Sequence, residues 1–235
     1  MILRRIGLLF FTSFISITAS GQNIREDIYH AYINGDMVLW EKLLTGIDPA
    51  SLTPANRYDF AMAHYGLIGY CVGRDQKKKA KPYLEKAEVL AEELLGDSPG
   101  DPRYLALRGA LYGLRLGYQP QKSPIFGPKA LKMVTRAVGA GPECPQAWIE
   151  AGNKDWWMPE IFGGSRVRAI EEYEKAIRMM EQDHSFMQKN WYYLNVNMIL
   201  AAWYEERGRT FAAREIYRKL IEFEPEFTWV REMLQ

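Results

Sequence analysis

The chain has 235 residues, with 30 Lys and Arg against 29 Asp and Glu and a formal net charge of +1. So even a balance excludes the basic footprint of a nucleic-acid binder. The aromatic share of 13% falls inside helical patterns, which excludes a disordered chain and points to a packed core.

The first 22 residues differ from the rest. Arg4 and Arg5 precede a mostly apolar run at 6–17, and Thr18-Ala19-Ser20-Gly21-Gln22 follows. Ala19 and Gly21 fit the two small-residue positions of a cleavage site, so residues 1–21 read as a secretory signal peptide with Gln22 as the new N-terminus. The apolar run is well short of the roughly 20 residues a membrane span needs. No cysteine follows it, so no lipoprotein-type attachment site is expected. Removing Arg4 and Arg5 takes the formal charge from +1 to −1. Residues 22–235 then form one exported domain, periplasmic or secreted, with no membrane insertion.

A short helical pair at 27–35 and 36–44, with Trp40 inside, reads as an N-terminal cap over 23–46. Beyond it a small–large–small pattern at i, i+4 and i+7 occurs four times: Ala80, Leu84, Ala87; Ala130, Val134, Ala137; Ala169, Tyr173, Ala176; and Ala213, Tyr217, Leu220. Such a stripe lets a helix lie close against a neighbour. Four stripes predict an all-α stack of helical hairpins, with repeats at about 53–98, 101–142, 144–182 and 190–227 and a C-terminal helix at 228–235. The Lys77-Lys78-Lys79 run reads as the solvated start of a helix. The partner helices begin at Pro102 and Pro145, where a proline's missing N–H does no harm, and Gly109 and Gly152 permit close helix approach. Cys71 and Cys144 fall at opposite ends of such helices, so free thiols are expected.

The last hairpin resembles a tetratricopeptide repeat, with Leu200-Ala201-x2-Tyr204, Gly208, Ala213, Tyr217 and Pro225 at that family's spacings. Trp148-x2-Ala151-Gly152 with Ala169, Tyr173 and Ala176 matches as well. Leu105, Gly109, Tyr112, Ala130, Ala137 and Pro142 form a third match. The resemblance implies an α–α superhelix of about four repeats and a role in binding other molecules. The period departs from the family's 34 residues: the stripes begin at 80, 130, 169 and 213, in steps of 50, 39 and 44.

Part of the excess lies in two turns, Pro124-Ile125-Phe126-Gly127-Pro128 and Pro159-Glu160-Ile161-Phe162-Gly163-Gly164. They resemble turns of tetratricopeptide-like proteins of the bacterial envelope. The structural reading makes Phe126 and Phe162 plugs at the hairpin ends, with Gly127 and Gly163 allowing the chain to reverse. The functional reading makes these four residues the rim of a ligand mouth.

No catalytic set is present. His30, His64 and His184 are scattered, and the sequence has no H-E-x-x-H, C-x-x-C, Walker loop or G-x-S-x-G. Neither catalysis, metal nor cofactor is therefore expected. The face opposite the packing stripes is the expected concave binding surface. It carries Arg103, Gln146, Ile149, Asn153, Trp156, Asn195, Met198 and Glu205. The lysines with which some tetratricopeptide domains grip a C-terminal carboxylate are missing: Ala106, Ile149 and Met198 stand in those places. The expected function is an exported scaffold for an unknown protein or peptide partner. The alternative is a small-ligand binder accessory to envelope solute transport.

Overall fold

The computed structural model describes residues 23–234, and the segment expected to be a signal peptide, 1–21, lies outside them. The helices are α1 (Ile24–Ile33), α2 (Met37–Gly46), α3 (Pro54–Gly73), α4 (Lys77–Asp97), α5 (Pro102–Tyr118), α6 (Ser123–Ala140), α7 (Pro145–Trp157), α8 (Arg166–Gln182), α9 (His184–Met187), α10 (Trp191–Glu206) and α11 (Thr210–Phe223). A 3-10 turn, Thr228–Leu234, ends the chain where an α-helix was expected. There is no strand among the described residues. Successive helices pack as α1/α2, α3/α4, α5/α6, α7/α8 and α10/α11, and each pair stacks on the next, forming an all-α superhelix of helical hairpins.

Local signals start the helices. Pro54, Pro102 and Pro145 occupy first turns. Asp36, Thr53, Asp101, Ser165 and Asn190 accept hydrogen bonds from free N–H groups at the helix starts. Thr210 is the first residue of α11.

The alanine stripes face inward and are buried, apart from half-buried Ala130. Close approach explains their composition. A Cβ on Gly152 would lie 2.5 Å from the Tyr173 ring and 3.0 Å from the Ala169 carbonyl. On Gly109 it would lie 2.9 Å from Val134. The expected turn at Pro124–Pro128 is instead the beginning of α6. Pro124 sits in the first turn, and the N–H that Pro128 lacks would have reached only an exposed carbonyl, so neither proline stops the helix. Gly127 is accordingly helical. Cys71 is buried, Cys144 is half-buried, and the two are unpaired.

The two ends of the chain meet. Tyr32 of α1 packs among Trp40, Trp191, Phe227 and Trp229, with ring centres 5.5–6.1 Å away. The Trp229 indole donates to the Tyr32 carbonyl at 3.0 Å, and the Tyr29 hydroxyl donates to Glu224 at 2.6 Å. The Arg25 guanidinium donates to the carbonyls of Phe186 and Gln188 at 2.7 and 3.0 Å. On α3, Gly66 leaves space where Trp40 and Trp191 come within 3 Å of where a Cβ would stand. The final hairpin thus folds back onto the first.

Candidate functional site

This closure decides what the concave face can do. Gln146, Ile149 and Trp156 were expected to line an open groove on α7, and all three are buried. Ile149 belongs to the core, and Trp156 stacks flat on Trp203 of α10, with ring centres 4.2 Å apart and planes at 6°. Asn153, Asn195 and Met198 are half-buried against the same filled centre. Asn195 accepts from the Tyr32 hydroxyl at 3.3 Å. Arg103 and Glu205 remain exposed at the margins, and Arg103 pairs with Asp101 at 2.7 Å. The groove expected from the sequence is therefore an interior, filled by side chains of α8 and α10 and by Tyr32 and Tyr65 from the first hairpins.

At its centre lies Glu150, which no sequence motif singles out. Gln146 donates to its carboxylate at 3.1 Å, Asn153 at 2.9 Å and Tyr192 at 3.4 Å. Tyr173 in turn donates to Asn153 at 2.5 Å. Burial disfavours the charged form and pushes the Glu150 carboxyl up to about 7, even though these hydrogen bonds act in the opposite direction. The cluster is enclosed and joins α7, α8 and α10.

An accessible cleft lies at the end of α7; another, of about 410 Å³, lies between α4 and α5 and is lined in part by Glu85, Glu88, Glu92, Glu93 and Arg115. Trp156 points inward, while the adjacent Trp157 is 78% exposed. Pro159 ends the helix by holding Met158 in extended backbone. A 3-10 turn, Glu160–Phe162, then lifts Ile161 and Phe162 into solvent, 86% and 72% exposed. Phe162 is thus no plug. Its counterpart Phe126 is half-buried and stacks on Tyr112 at 6.0 Å, so the two sequence echoes have different structures.

The turn is held rigidly. Gly163 adopts φ +94°, a conformation that disfavours any side chain. A Cβ on Gly164 would stand 1.8 Å from the Met158 carbonyl oxygen. Arg168 donates to the Gly163 carbonyl at 2.5 Å and pairs with Asp155, which is 1% exposed. Burial would raise the Asp155 carboxyl, but hydrogen bonds from Arg168 and Lys154 hold it below the ordinary carboxylate range. Nearby, burial and the Asp155 charge push Glu172 up to about 7.

Beside this crown is a cleft of about 440 Å³, lined in part by Trp156, Trp157, Met158, Glu160, Arg166 and Arg207. The Arg166 guanidinium lies 4.9 Å from the Trp156 ring centre and pairs with Glu206 at 2.5 Å. Of the rim residues suggested by the sequence, Phe162 and Gly163 belong to this crown. Phe126 and Gly127 lie on α6, and none of the four is among the residues lining the cleft. Among the described residues, no group of three His, Cys, Asp or Glu side chains is placed to hold a metal ion, and no helix is long and apolar enough to cross a membrane.

Fold and site together define a closed helical-hairpin superhelix with an apolar crown on the turn after α7. Among solved structures it is similar to the HusA haemophore from Porphyromonas gingivalis, at 19% identity and a TM-score of 0.50, over 80% of this chain and 96% of that one. At that identity the likeness concerns the fold alone. A monomeric mutant of IFIT1 with Gppp-AAAA matches 80% of this chain and 46% of its own, at 18% identity, but its TM-score of 0.33 carries no argument. No family model matches the sequence, and neither does any curated protein.

Proposed function

We propose that this chain is an exported, non-catalytic, tetratricopeptide-like scaffold of the bacterial cell envelope that captures a protein partner on the crown at the end of α7. One observation carries this reading: Trp157, Ile161 and Phe162 stand in water on a turn fixed by Arg168, Asp155 and Gly164. Fully burying each such side chain is worth roughly 2 kcal/mol. A rigid turn loses little entropy on binding, so that gain reaches affinity. Export rests on the signal-like segment at 1–21, and the absence of catalysis on the lack of any catalytic motif.

The test is crosslinked capture from envelope extract with the full mature chain and with Trp157→Ala/Phe162→Ala. A stoichiometric partner is expected on the wild type, reduced more than about tenfold on the variant, with helical content unchanged. Equal capture by both would remove the crown from the function.

A second reading is a small-ligand carrier. It is favoured by the cleft, whose volume falls within the roughly 300–1,000 Å³ of ligand sites, and by the likeness in fold to a protein described as a haemophore. Native mass spectrometry of the purified chain separates the two, because a co-purified stoichiometric small molecule supports only the second.

A further inference from the structure

A stack of hairpins has two edges. Within each hairpin the chain turns at one edge, and between hairpins it crosses at the other. Contacts place the inner turns side by side. Lys79 at the start of α4 pairs with Glu41 of α2 at 2.6 Å, the Tyr118 hydroxyl at the end of α5 donates to the Lys77 carbonyl at 2.9 Å, and Arg166 at the start of α8 pairs with Glu206 at the end of α10. Packing of α5 on α7 joins the two groups. Of eleven large apolar side chains exposed among the described residues, eight lie within one helical turn of an inner reversal, Val38, Ile125, Trp157, Ile161, Phe162 and Phe211 among them. The other three stand in mid-helix or in the final 3-10 turn, and none lies at a crossing between hairpins.

Charge divides the same way. Each loop with the four helical residues on either side was counted. The inner turns carry eleven Lys and Arg against six Asp and Glu, whereas the crossings, with 23–27 and 220–227, carry four against eleven. Partners just outside these segments do not cancel the difference. Glu41, Glu88 and Glu172 face Lys79, Arg115 and Asp155, and with them the inner edge still has eleven basic groups against nine acidic. Lys219, which pairs with Glu181, leaves the other edge at five against eleven. The excess does not sit at the cleft, where the charges balance. It sits at the α3/α4 and α5/α6 turns. There Arg74, Lys77, Lys78 and Lys122 are exposed and make no ion pair among the described residues, against Asp75 as the single unpaired carboxylate of those two turns.

An anionic bilayer meets both features at once. Its headgroup layer attracts the cations, and the boundary beneath accepts apolar and aromatic side chains to a depth of about 5–10 Å. A soluble polyanion would leave the apolar side chains in water. We infer that the inner-turn edge docks on the surface of an anionic phospholipid bilayer, with Lys77, Lys78 and Lys122 among the headgroups and Trp157, Ile161 and Phe162 below them. The chain rests on the membrane and does not cross it. This goes beyond protein capture on the crown: a bilayer and a captured protein use the same side chains and exclude each other there.

The experiment is sedimentation of the full mature chain with phosphatidylcholine vesicles, with and without roughly 30% phosphatidylglycerol. Binding should be at least about tenfold tighter to the anionic vesicles, and should weaken as salt is raised from about 50 to about 500 mM. Lys77→Glu/Lys78→Glu should weaken it at least about tenfold, with helical content kept because glutamate suits the first turn of a helix. Trp157→Ala/Phe162→Ala should weaken it by a similar factor, also at unchanged helical content. Glu143→Lys, which adds positive charge at the other edge, should leave it within about twofold. No binding to anionic vesicles, or a change under about twofold with either double variant, overturns the inference and leaves protein capture, which is read by crosslinking, standing. Binding to soluble heparin that matches binding to vesicles and ignores Trp157→Ala/Phe162→Ala overturns it too, since the edge would then be a surface for polyanions. Vesicle binding as expected, without any captured protein, supports this inference and sinks the crown reading alone.

Discussion

Two buried titratable residues give the stability of this protein opposite slopes with pH. Glu150 has a carboxyl near 7 in the folded chain against an ordinary 4.5, because burial disfavours its charge. Its contribution is fully present below about 4.5 and is lost as pH rises towards 7, a change on the order of 3 kcal/mol. His64 works the other way. It lies buried, its Nδ1 is 2.9 Å from the Phe60 carbonyl, and burial lowers its pKa from 6.5 to about 4. Its contribution is complete above 6.5 and is lost as pH falls towards 4. Comparing Glu150→Gln with the wild type isolates the first slope. Relative to wild type, the melting temperature of the variant should rise by about 6–12 °C between pH 4.5 and pH 8. A difference independent of pH would show that Glu150 is not held in a desolvating interior. Neither residue was legible as functional in the sequence. A glutamate one turn after Gln146 and one turn before Asn153 looks like an ordinary helical surface until α10 is known to cover it.

At the scale of helices and turns, the sequence spoke clearly where periodicity applied and misled where it did not. The stripes of small and large residues placed α4, α8 and α11 and their buried faces, because a helix repeats its environment every three to four residues. The two Phe-Gly segments look like one motif in the sequence, yet Pro124–Pro128 is helical and 159–164 is a turn. Proline alone does not distinguish the first turn of a helix from its end. What separates them is Gly164, whose hydrogen lies against the Met158 carbonyl. This has a consequence for Gly164→Ala. With only 1.8 Å available for its Cβ, the substitution must open the turn. It should cost about 1–3 kcal/mol and make the chain cleavable by protease at 158–164, while α7 and α8 stay paired through Gly152 and Tyr173. A variant as resistant as the wild type would mean that the turn has other conformations of equal energy. Trp157 and Trp156 teach the same lesson in miniature. Adjacent positions on a helix point about 100° apart, so one stacks on Trp203 and the other meets solvent, and the sequence alone could not decide which.

At the scale of the whole molecule, the difference between an open solenoid and this chain lies in its two ends. A repeat array gains stability from nearest neighbours only, and its terminal units are normally the weakest. Here α1 and the segment after α11 support each other across nearly the full length of the chain. Phe227, fully buried, touches both Tyr32 and Trp229, and Arg25 anchors α1 to the carbonyls around α9. The segment expected as a C-terminal helix at 228–235 has its mate about 195 residues away in the chain. Contact at that distance leaves no periodic trace. The consequence is testable through Phe227→Ala. Truncating a buried phenylalanine costs about 3–5 kcal/mol, and in an independent terminal repeat the loss would stay near α11. In a closed superhelix it must also reach the first hairpin. Hydrogen exchange in the variant should therefore accelerate at 24–33 as strongly as at 210–223, while α5 and α6, which make neither contact, keep their protection. Acceleration confined to the C-terminal hairpin would mean that the ends touch without stabilising each other, and the filled interior around Glu150 would then lose the reason it is closed.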